Sequence, residues 1–133
     1  MTKSKYIYPA VISQDEDGFY VEFPDILNCF TDGDTLEQTL ENAKDVLELM
    51  LYEMETKNVE PPTATKITDI KCNESSFVTL VLADTMMYRK KFKKSAVKKT
   101  LSIPEWLNVE AEKNEINFSA VLQQALKDQL KLN

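Results

Sequence analysis

The sequence contains no histidine, and its two cysteines, Cys29 and Cys72, are far apart and form no CxxC pair. Without histidine, the chain has no Ser–His or Cys–His nucleophile, and most kinds of zinc site are excluded. Two isolated cysteines are typical of reduced, packed thiols rather than of a disulfide framework. We therefore expect neither a cofactor nor a metal centre.

The sequence also lacks long apolar runs. No stretch approaches the roughly 18 apolar residues that a membrane-spanning helix requires. The apolar run at residues 6–12 is interrupted by Pro9 and is too short for a signal peptide. We therefore expect a cytoplasmic protein without membrane contact.

Charge is plentiful but unevenly distributed along the 133 residues. Residues 1–84 carry 17 acids and 6 bases, a net charge of −11, whereas residues 85–133 carry 5 acids and 10 bases, a net charge of +5. Such asymmetry indicates parts with different partners. We divide the chain into a domain at residues 1–84, a basic linker or short helix at residues 85–96 and a module at residues 97–133.

The first part has the pattern of a small α+β domain, in which one helix covers a small antiparallel sheet. Strands are predicted for residues 6–13, 19–23, 29–31 and 77–83, with a weaker one at 67–72. The run 77–83 is apolar on both faces, which places it inside the sheet. The acids at residues 15–17 belong to a hairpin turn rather than to a metal site, since their spacing matches no calcium loop.

A long helix is predicted from Thr35 to about residue 55. Thr35 and Gln38 form a capping box, in which each side chain satisfies a free backbone N–H of the first turn. The apolar stripe is Leu36, Leu40, Ala43, Leu47, Met50 and Met54. Glu48 is expected on the exposed side of the helix.

The module at residues 97–133 reads as a strand followed by two helices, the first beginning at Pro104 and the second capped by Asn117. Thirty-seven residues are too few to bury so much apolar surface alone, and one strand cannot form a sheet with itself. A two-fold dimer solves both problems if the strands of two copies pair into an antiparallel ribbon above four helices. Leu101 and Ile103 then face inward.

The outward face of that ribbon carries Lys98, Thr100 and Ser102, which are side-chain types that contact base edges in the major groove. Asn117 and Ser119, at a helix start, are expected to contact a phosphate. Lys94 belongs to the basic run 89–94, for which three interpretations stay open. The run tracks the DNA backbone, is a solvated linker, or lies against the acidic part.

Short motifs in both parts resemble one family. The tail reads T-L-S-I-P-E-W-L-N and then I-N-F-S-A-V-L-Q-Q-A-L, which is similar to the ribbon-helix-helix module of HicB antitoxins. The N-terminal part resembles the HicB N-terminal domain through the motifs that begin at Tyr8, Asp17, Phe23, Cys29 and Gly33. Two positions depart from the family pattern, because Asn28 replaces a usual glycine and none precedes the last helix near Glu115. We expect Asn28 to adopt the left-handed conformation; near Glu115, either Asn114 adopts it or the turn differs.

The resemblance implies a partial RNase H-like domain of HicB type followed by a ribbon-helix-helix. It further implies an antitoxin that covers a HicA-type mRNA-cleaving toxin and represses its own operon at operator DNA. Such a nuclease must present a basic surface, so Glu22, Asp25 and Asp32 are candidate toxin contacts. We expect a homodimer through residues 97–133, with a tetramer left open.

Two other functions are retained for comparison. One is a stand-alone ribbon-helix-helix repressor whose N-terminal domain senses a ligand or only oligomerises. The other is a nuclease acting by itself. An RNase H-type reaction needs several carboxylates that converge on two metals, and the first strand contains no acid. We therefore expect the protein not to be an enzyme.

Overall fold

The computed structural model describes residues 3–132. These residues form two compact units, one at residues 3–94 and the other at residues 95–132. The first contains a sheet and two helices, and the second contains two helices. The structure therefore has the expected α+β class, with a small antiparallel sheet.

The sheet of the first unit has four strands. They are β1 (Lys5–Asp15), β2 (Gly18–Glu22), β3 (Phe30–Gly33) and β4 (Ser76–Asp84). All neighbours are antiparallel, and the order across the sheet is β3–β2–β1–β4. The predicted hairpin of β1 and β2 is confirmed. Its turn is closed by the N–H of Asp17, which donates to Asp15 Oδ1 at 2.8 Å.

Helix α1 (Leu36–Thr56) covers one face of this sheet. The predicted cap is present, because Thr35 Oγ1 accepts from the N–H of Gln38 at 3.1 Å. The second bond of the predicted capping box differs from the prediction. Gln38 Oε1 accepts from the N–H of Asp34, at 2.9 Å, and not from the N–H of Thr35. Together the two bonds fix the point at which the chain enters the helix.

The predicted apolar stripe is wrong in its first half. The buried line of α1 is Thr39, Ala43, Leu47 and Leu51, whereas Leu36 and Leu40 are exposed. Thr39 is buried because the end of β3 lies against the first turn of the helix. A Cβ added to Gly33 would come within 2.4 Å of Thr39 Oγ1, so this approach requires glycine. Only a short side chain such as that of Thr39 fits at this position of the helix.

Glu48 is buried rather than exposed, contrary to the sequence prediction. Its carboxylate accepts from the backbone N–H of Asp84 at 2.7 Å, and Lys44 Nζ lies 3.8 Å away. The carboxylate therefore joins the helix to the end of β4. A buried carboxylate is tolerated when a hydrogen bond and a cation compensate its charge.

Two predictions about the strands are also wrong. Strand β4 is at the edge of the sheet and not inside it, because no other strand among residues 3–132 pairs with it on the side away from β1. Residues 67–72 add no strand, and Ile67–Asp69 is a 3-10 turn that contacts β4. A run that is apolar on both faces predicts burial on both faces, but Phe77, Leu80 and Leu82 of this run are exposed.

Residues 85–92 are helical, so the first unit extends beyond the expected boundary at residue 84. Helix α2 (Thr85–Phe92) is capped by Asp84, whose Oδ1 accepts from the N–H of Met86 at 3.0 Å. It packs against α1 through two aromatic rings tilted by 39° to each other, with the Tyr52 and Tyr88 centroids 5.1 Å apart. This packing explains why the first unit ends near Lys94.

The second unit contains α3 (Glu105–Lys113) and α4 (Phe118–Leu130). The predicted cap of α4 is confirmed, since Asn117 Oδ1 accepts from the N–H of Ala120 at 3.0 Å. Residues 93–104 form neither helix nor strand. A strand is defined by pairing, and a single copy offers residues 97–103 no second strand. The ribbon therefore stays a prediction.

The left-handed residues clarify the two departures from the family pattern. Asn28 has φ of 60°, so asparagine adopts the left-handed conformation as expected. In the α3–α4 turn that conformation is taken by Glu115, with φ of 53°, whereas Asn114 has φ of −92°. Of the two alternatives for this turn, the left-handed Asn114 is therefore wrong and a different turn is present, with the left-handed residue one position later. Glutamate carries a steric cost there that glycine would not.

Candidate partner-binding surfaces

The second unit has an apolar groove and no core of its own. Not one residue of 95–132 is buried, although the segment contains many large apolar side chains. A groove of about 590 Å³ runs between the helices and residues 99–103. Its apolar lining is Leu101, Ile103, Leu107, Ala111, Ile116, Phe118, Val121, Leu122 and Ala125.

The predicted DNA-contacting residues lie around this groove. Lys98, Thr100 and Ser102 are exposed and alternate with the groove residues Leu101 and Ile103. This is the alternation expected of an extended segment with one face to be covered.

The helix-start residues and Lys94 occupy different positions. Asn117 caps α4 and is exposed, and Ser119 is among the residues that line the groove. Lys94 is the last residue of the first unit, next to the boundary with the second. Lys94 and the residues of α4 therefore belong to different units.

The basic run 89–94 belongs to the first unit. Arg89 lies in α2 and places Nη2 2.8 Å from Glu55 Oε1. Of the three interpretations of this run, contact with the acidic part therefore holds for Arg89. Residues 3–94 carry 17 acids and 11 bases, whereas residues 95–133 carry 5 of each. The second unit is thus neutral overall, and Lys98 and Lys99 are its adjacent pair of bases.

An acidic and aromatic surface lies on the sheet of the first unit. In the β2–β3 pairing, Tyr20 is opposite Asp32 and Glu22 is opposite Phe30. Opposite residues of antiparallel strands share a face, and so do alternate residues of one strand. All four side chains are therefore on one face, and all four are exposed. We call these four residues the acidic face.

The negative charges around the acidic face act on the hydroxyl of Tyr20. The charge of Asp15 raises the pKa of Tyr20 above its ordinary value, with smaller contributions from Asp17 and Asp32. Two acids of the hairpin turn therefore add to the field of this face. Sequence reasoning had assigned them only to the turn.

Asp25 has a structural task that the sequence did not reveal. Its carboxylate accepts from the N–H and the hydroxyl of Thr65, so it holds the long loop between α1 and β4. Asp25 and Glu22 line the same cleft of about 490 Å³, together with Asp69. Of the three predicted toxin contacts, the structure places Glu22 and Asp32 on one face and Asp25 beside it.

The aromatic residues Tyr20 and Phe30 were missed as site residues. The sequence pattern could have identified Tyr20, because Tyr20 and Glu22 both alternate with the buried Val21 and therefore lie on the same face of β2. The register of β3 against β2, which places Phe30 opposite Glu22, could not be predicted from the sequence. It depends on the tight loop that contains Asn28, in which the N–H of Phe23 donates to the carbonyl of Cys29 at 2.9 Å.

Two kinds of site are absent from residues 3–132. No group of three or more cysteine or carboxylate side chains comes close enough together to hold a metal ion. No helix in that range is long and apolar enough to span a membrane.

A sequence profile of HicB-like antitoxins of bacterial toxin–antitoxin systems matches residues 8–126. The chain belongs to this family. The resemblance to HicB antitoxins that the sequence motifs suggested is therefore confirmed, whereas the ribbon-helix-helix module stays a prediction. The match extends across both units of the structure.

Several individual proteins are also similar to this chain. A UPF0150 protein of Synechocystis sp. is 34% identical over 56 residues, which cover 41% of this chain and 81% of that protein. A solved toxin–antitoxin complex from Streptococcus pneumoniae contains a chain with 22% identity and a TM-score of 0.61, with 94% of this chain and 99% of that chain covered. The antitoxin HicB of Burkholderia pseudomallei superposes with 15% identity and a TM-score of 0.54, with 94% and 98% covered. At these identities the structural matches establish the fold.

Proposed function

We propose that this HicB-like antitoxin neutralises a HicA-type mRNA-cleaving toxin with its first unit and represses its own operon with its second. The second unit does so as a homodimer that binds operator DNA through a two-stranded ribbon of residues 97–103. The observation that carries the proposal is the apolar groove of residues 95–132, a segment in which no residue is buried.

An uncovered groove supports dimerisation because it leaves the second unit without a hydrophobic core. Burying apolar surface contributes about 25 cal/mol per Å². Phe118 and Val121 remain about half exposed, at 45% and 55%, so a large share of this contribution is missing in a single copy. A second copy supplies the same groove by two-fold symmetry and pairs the two extended segments.

The ribbon supports DNA binding through the chemistry of its uncovered side. If Leu101 and Ile103 are covered by the dimer, the exposed Lys98, Thr100 and Ser102 of two copies form one surface of six side chains. Lysine and hydroxyl side chains donate to base edges and phosphates. Lys94 and the helix-start residues Asn117 and Ser119 are proposed as backbone contacts.

The acidic face supports toxin binding through charge. A ribonuclease that grips RNA has a basic surface, and an acidic inhibitor associates with it quickly and competes with RNA. Glu22 and Asp32 supply charge, while Tyr20 and Phe30 supply aromatic area of the type that anchors interfaces. The similar Streptococcus pneumoniae chain was solved in a toxin–antitoxin complex.

The decisive experiment separates the two activities with one variant in each unit. Lys98→Ala should weaken operator binding by about tenfold or more for each copy, as loss of a base contact does, and should leave toxin inhibition intact. The double variant Glu22→Lys, Asp32→Lys should slow toxin association and leave operator binding intact. Operator binding is measured by fluorescence anisotropy, and toxin inhibition by an mRNA cleavage assay.

Matched controls make the same charge changes elsewhere. Lys113→Ala removes a lysine at the end of α3, and the double variant Glu41→Lys, Asp45→Lys reverses two exposed charges of α1; neither should change either activity by more than about twofold. Loss of both activities in Lys98→Ala would contradict the division of labour.

The toxin for the experiment is sought beside the gene. A short basic reading frame that encodes a histidine, adjacent to this gene, supports the antitoxin function. Its absence would favour the stand-alone repressor.

A further inference from the structure

The segment that precedes α3 has two chemically different sides. Lys99, Leu101 and Ile103 line the groove of the second unit, whereas the residues between them do not. The side away from the groove carries three exposed residues, which we call the outer residues: Lys98, Thr100 and Ser102. The structure thus gives this segment the two-residue period of a strand, although a single copy offers it no partner.

Two-fold symmetry restricts how this segment can pair with a second copy of itself. The inference below rests on the proposed function, in which two such segments form an antiparallel ribbon. Directly opposite residues of antiparallel strands share a face. An axis between two residues would place a groove residue opposite an outer residue. The axis must therefore pass through a residue.

The axis fits at Thr100. Val97 then lies opposite Ile103, so that two apolar side chains meet, and Lys99 lies opposite Leu101. Every residue of the segment has a partner in this register. An axis at Lys99 would place two lysines directly opposite each other, which destabilises a pair of strands.

An axis at Leu101 fails for a different reason. Lys98 would then lie opposite Pro104, which has no backbone N–H to donate. Val97 would lie opposite Glu105, which is already the first residue of α3. Thr100 is therefore the residue at the axis.

This register fixes the order of groups on the outer side of the ribbon. The two copies of Thr100 meet at the centre, and Lys98 of each copy lies opposite Ser102 of the other. The two Lys98 residues are separated by roughly 13 Å along the ribbon, at about 3.4 Å per residue. Because each step of B-DNA rises about 3.4 Å, the lysines are about four base-pair steps apart. The centre of the ribbon carries hydroxyl and methyl groups without charge.

The side-chain types determine which bases suit each position. A lysine only donates hydrogen bonds, and guanine presents two adjacent acceptors, N7 and O6, in the major groove. The methyl group of threonine contacts the C5 methyl group of thymine, whereas serine pairs with any base. The ends of the ribbon therefore suit G·C pairs, and its centre suits A·T pairs.

We propose that one ribbon reads an element with two G·C pairs about four base-pair steps apart and A·T pairs between them. Lys98 of each copy binds the guanine of one G·C pair, and the two copies of Thr100 contact thymine methyl groups at the centre. Lys98 is thus the residue that determines specificity at the ends of the element. It is assigned to the bases because the outer side of the ribbon faces the floor of the groove, whereas phosphates border the groove on both sides.

The first test selects sequences from a pool of random DNA duplexes with the purified full-length protein. The wild-type chain should enrich two G·C pairs at the stated spacing around A·T pairs. Lys98→Gln should enrich A·T pairs at the two end positions and keep the centre, because glutamine pairs with N6 and N7 of adenine. The matched control Lys113→Gln makes the same change at the end of α3 and should select the wild-type element.

Modified bases test the individual contacts in the enriched duplex. Replacing each guanine by 7-deazaguanine, which lacks the N7 acceptor, should weaken wild-type binding by about tenfold and leave Lys98→Ala unaffected. Inosine keeps N7 and O6 and should bind as guanine does. Replacing the central thymines by uracil should weaken binding by about fourfold for each buried methyl group and should not affect Thr100→Ser, which has no methyl group to lose.

The outcomes separate this inference from the proposed function. A pool in which no sequence is enriched would refute operator binding and this inference with it. Enrichment of another spacing, or of G·C end pairs by folded Lys98→Gln, would overturn this inference alone. So would equal weakening of all sequences by Lys98→Gln with a reduced dependence on salt, because that result assigns Lys98 to a phosphate. Fluorescence of Trp106 checks that the second unit of each variant is folded.

Discussion

The carboxylate of Glu55 is expected to hold α2 on the first unit. Its side chain is only 10% exposed and accepts three hydrogen bonds. The donors are the hydroxyls of Tyr6 and Thr85, at 3.0 and 2.9 Å, and the guanidinium of Arg89 at 2.8 Å. Burial of the Tyr6 ring, followed by its bond to Glu55, raises the pKa of Tyr6 to about 12. One carboxylate thus joins the first strand, the long helix and α2.

The magnitude follows from these bonds. A hydrogen bond to a charged group contributes about 1.5 kcal/mol or more, and here two hydroxyls donate to a nearly buried carboxylate. The Arg89 ion pair is discounted to about 0.5 kcal/mol, because its side chain is 40% exposed. We therefore expect Glu55→Ala to destabilise the first unit by about 3 kcal/mol, a large fraction of the stability of a small domain.

The assay exploits the distribution of aromatic residues. All five tyrosines lie in residues 3–94, and the only tryptophan, Trp106, lies in the second unit. Urea unfolding followed by tyrosine circular dichroism therefore reports the first unit, and tryptophan fluorescence reports the second. Glu55→Ala should lower the tyrosine transition and leave the tryptophan transition in place.

A neighbouring pair serves as the control. Glu53 Oε2 lies 3.5 Å from Lys57 Nζ, and both side chains are well exposed. Glu53→Ala should therefore cost less than about 0.5 kcal/mol. A loss below about 1 kcal/mol for Glu55→Ala, or an equal shift of both transitions, would refute the reasoning.

Two further predictions concern single residues. Glu115→Gly should stabilise the second unit by about 1 kcal/mol, because glycine removes the steric cost of the left-handed conformation; a lower tryptophan-monitored stability would contradict this. Cys72 is exposed, whereas burial raises the pKa of the Cys29 thiol to about 11. A thiol reagent should therefore modify one cysteine of the folded chain rapidly and the second only on unfolding, and two fast reactions would show that Cys29 is accessible.

Local sequence signals predicted much of the fold. The hairpin of β1 and β2, the cap of α1 at Thr35 and the cap of α4 at Asn117 each depend on residues within a few positions of each other. Such features are readable because their partners are close in sequence. The family followed from motifs of the same kind.

Features that depend on contacts between residues far apart in sequence could not be predicted from local patterns. The burial of Glu48 requires the N–H of Asp84, 36 residues away. The edge position of β4 was missed because Leu80 and Leu82 look like core residues in a run that is apolar on both faces. The acidic face was only partly predicted, since the approach of Asp32 to Tyr20 is set by strand register.

The order of the strands also has a consequence for synthesis. The central strand β1 is made first, but its partner β4 is about 70 residues later in the sequence. At roughly 5–20 residues per second, the ribosome exposes β1 with one neighbour for several seconds before its second neighbour emerges. The hydroxyl of Thr85 and the guanidinium of Arg89, which both donate to Glu55, are synthesised later still. A chain interrupted before residue 92 would lack the last contacts of its first unit, and we expect such a fragment to be a good substrate for cellular proteases.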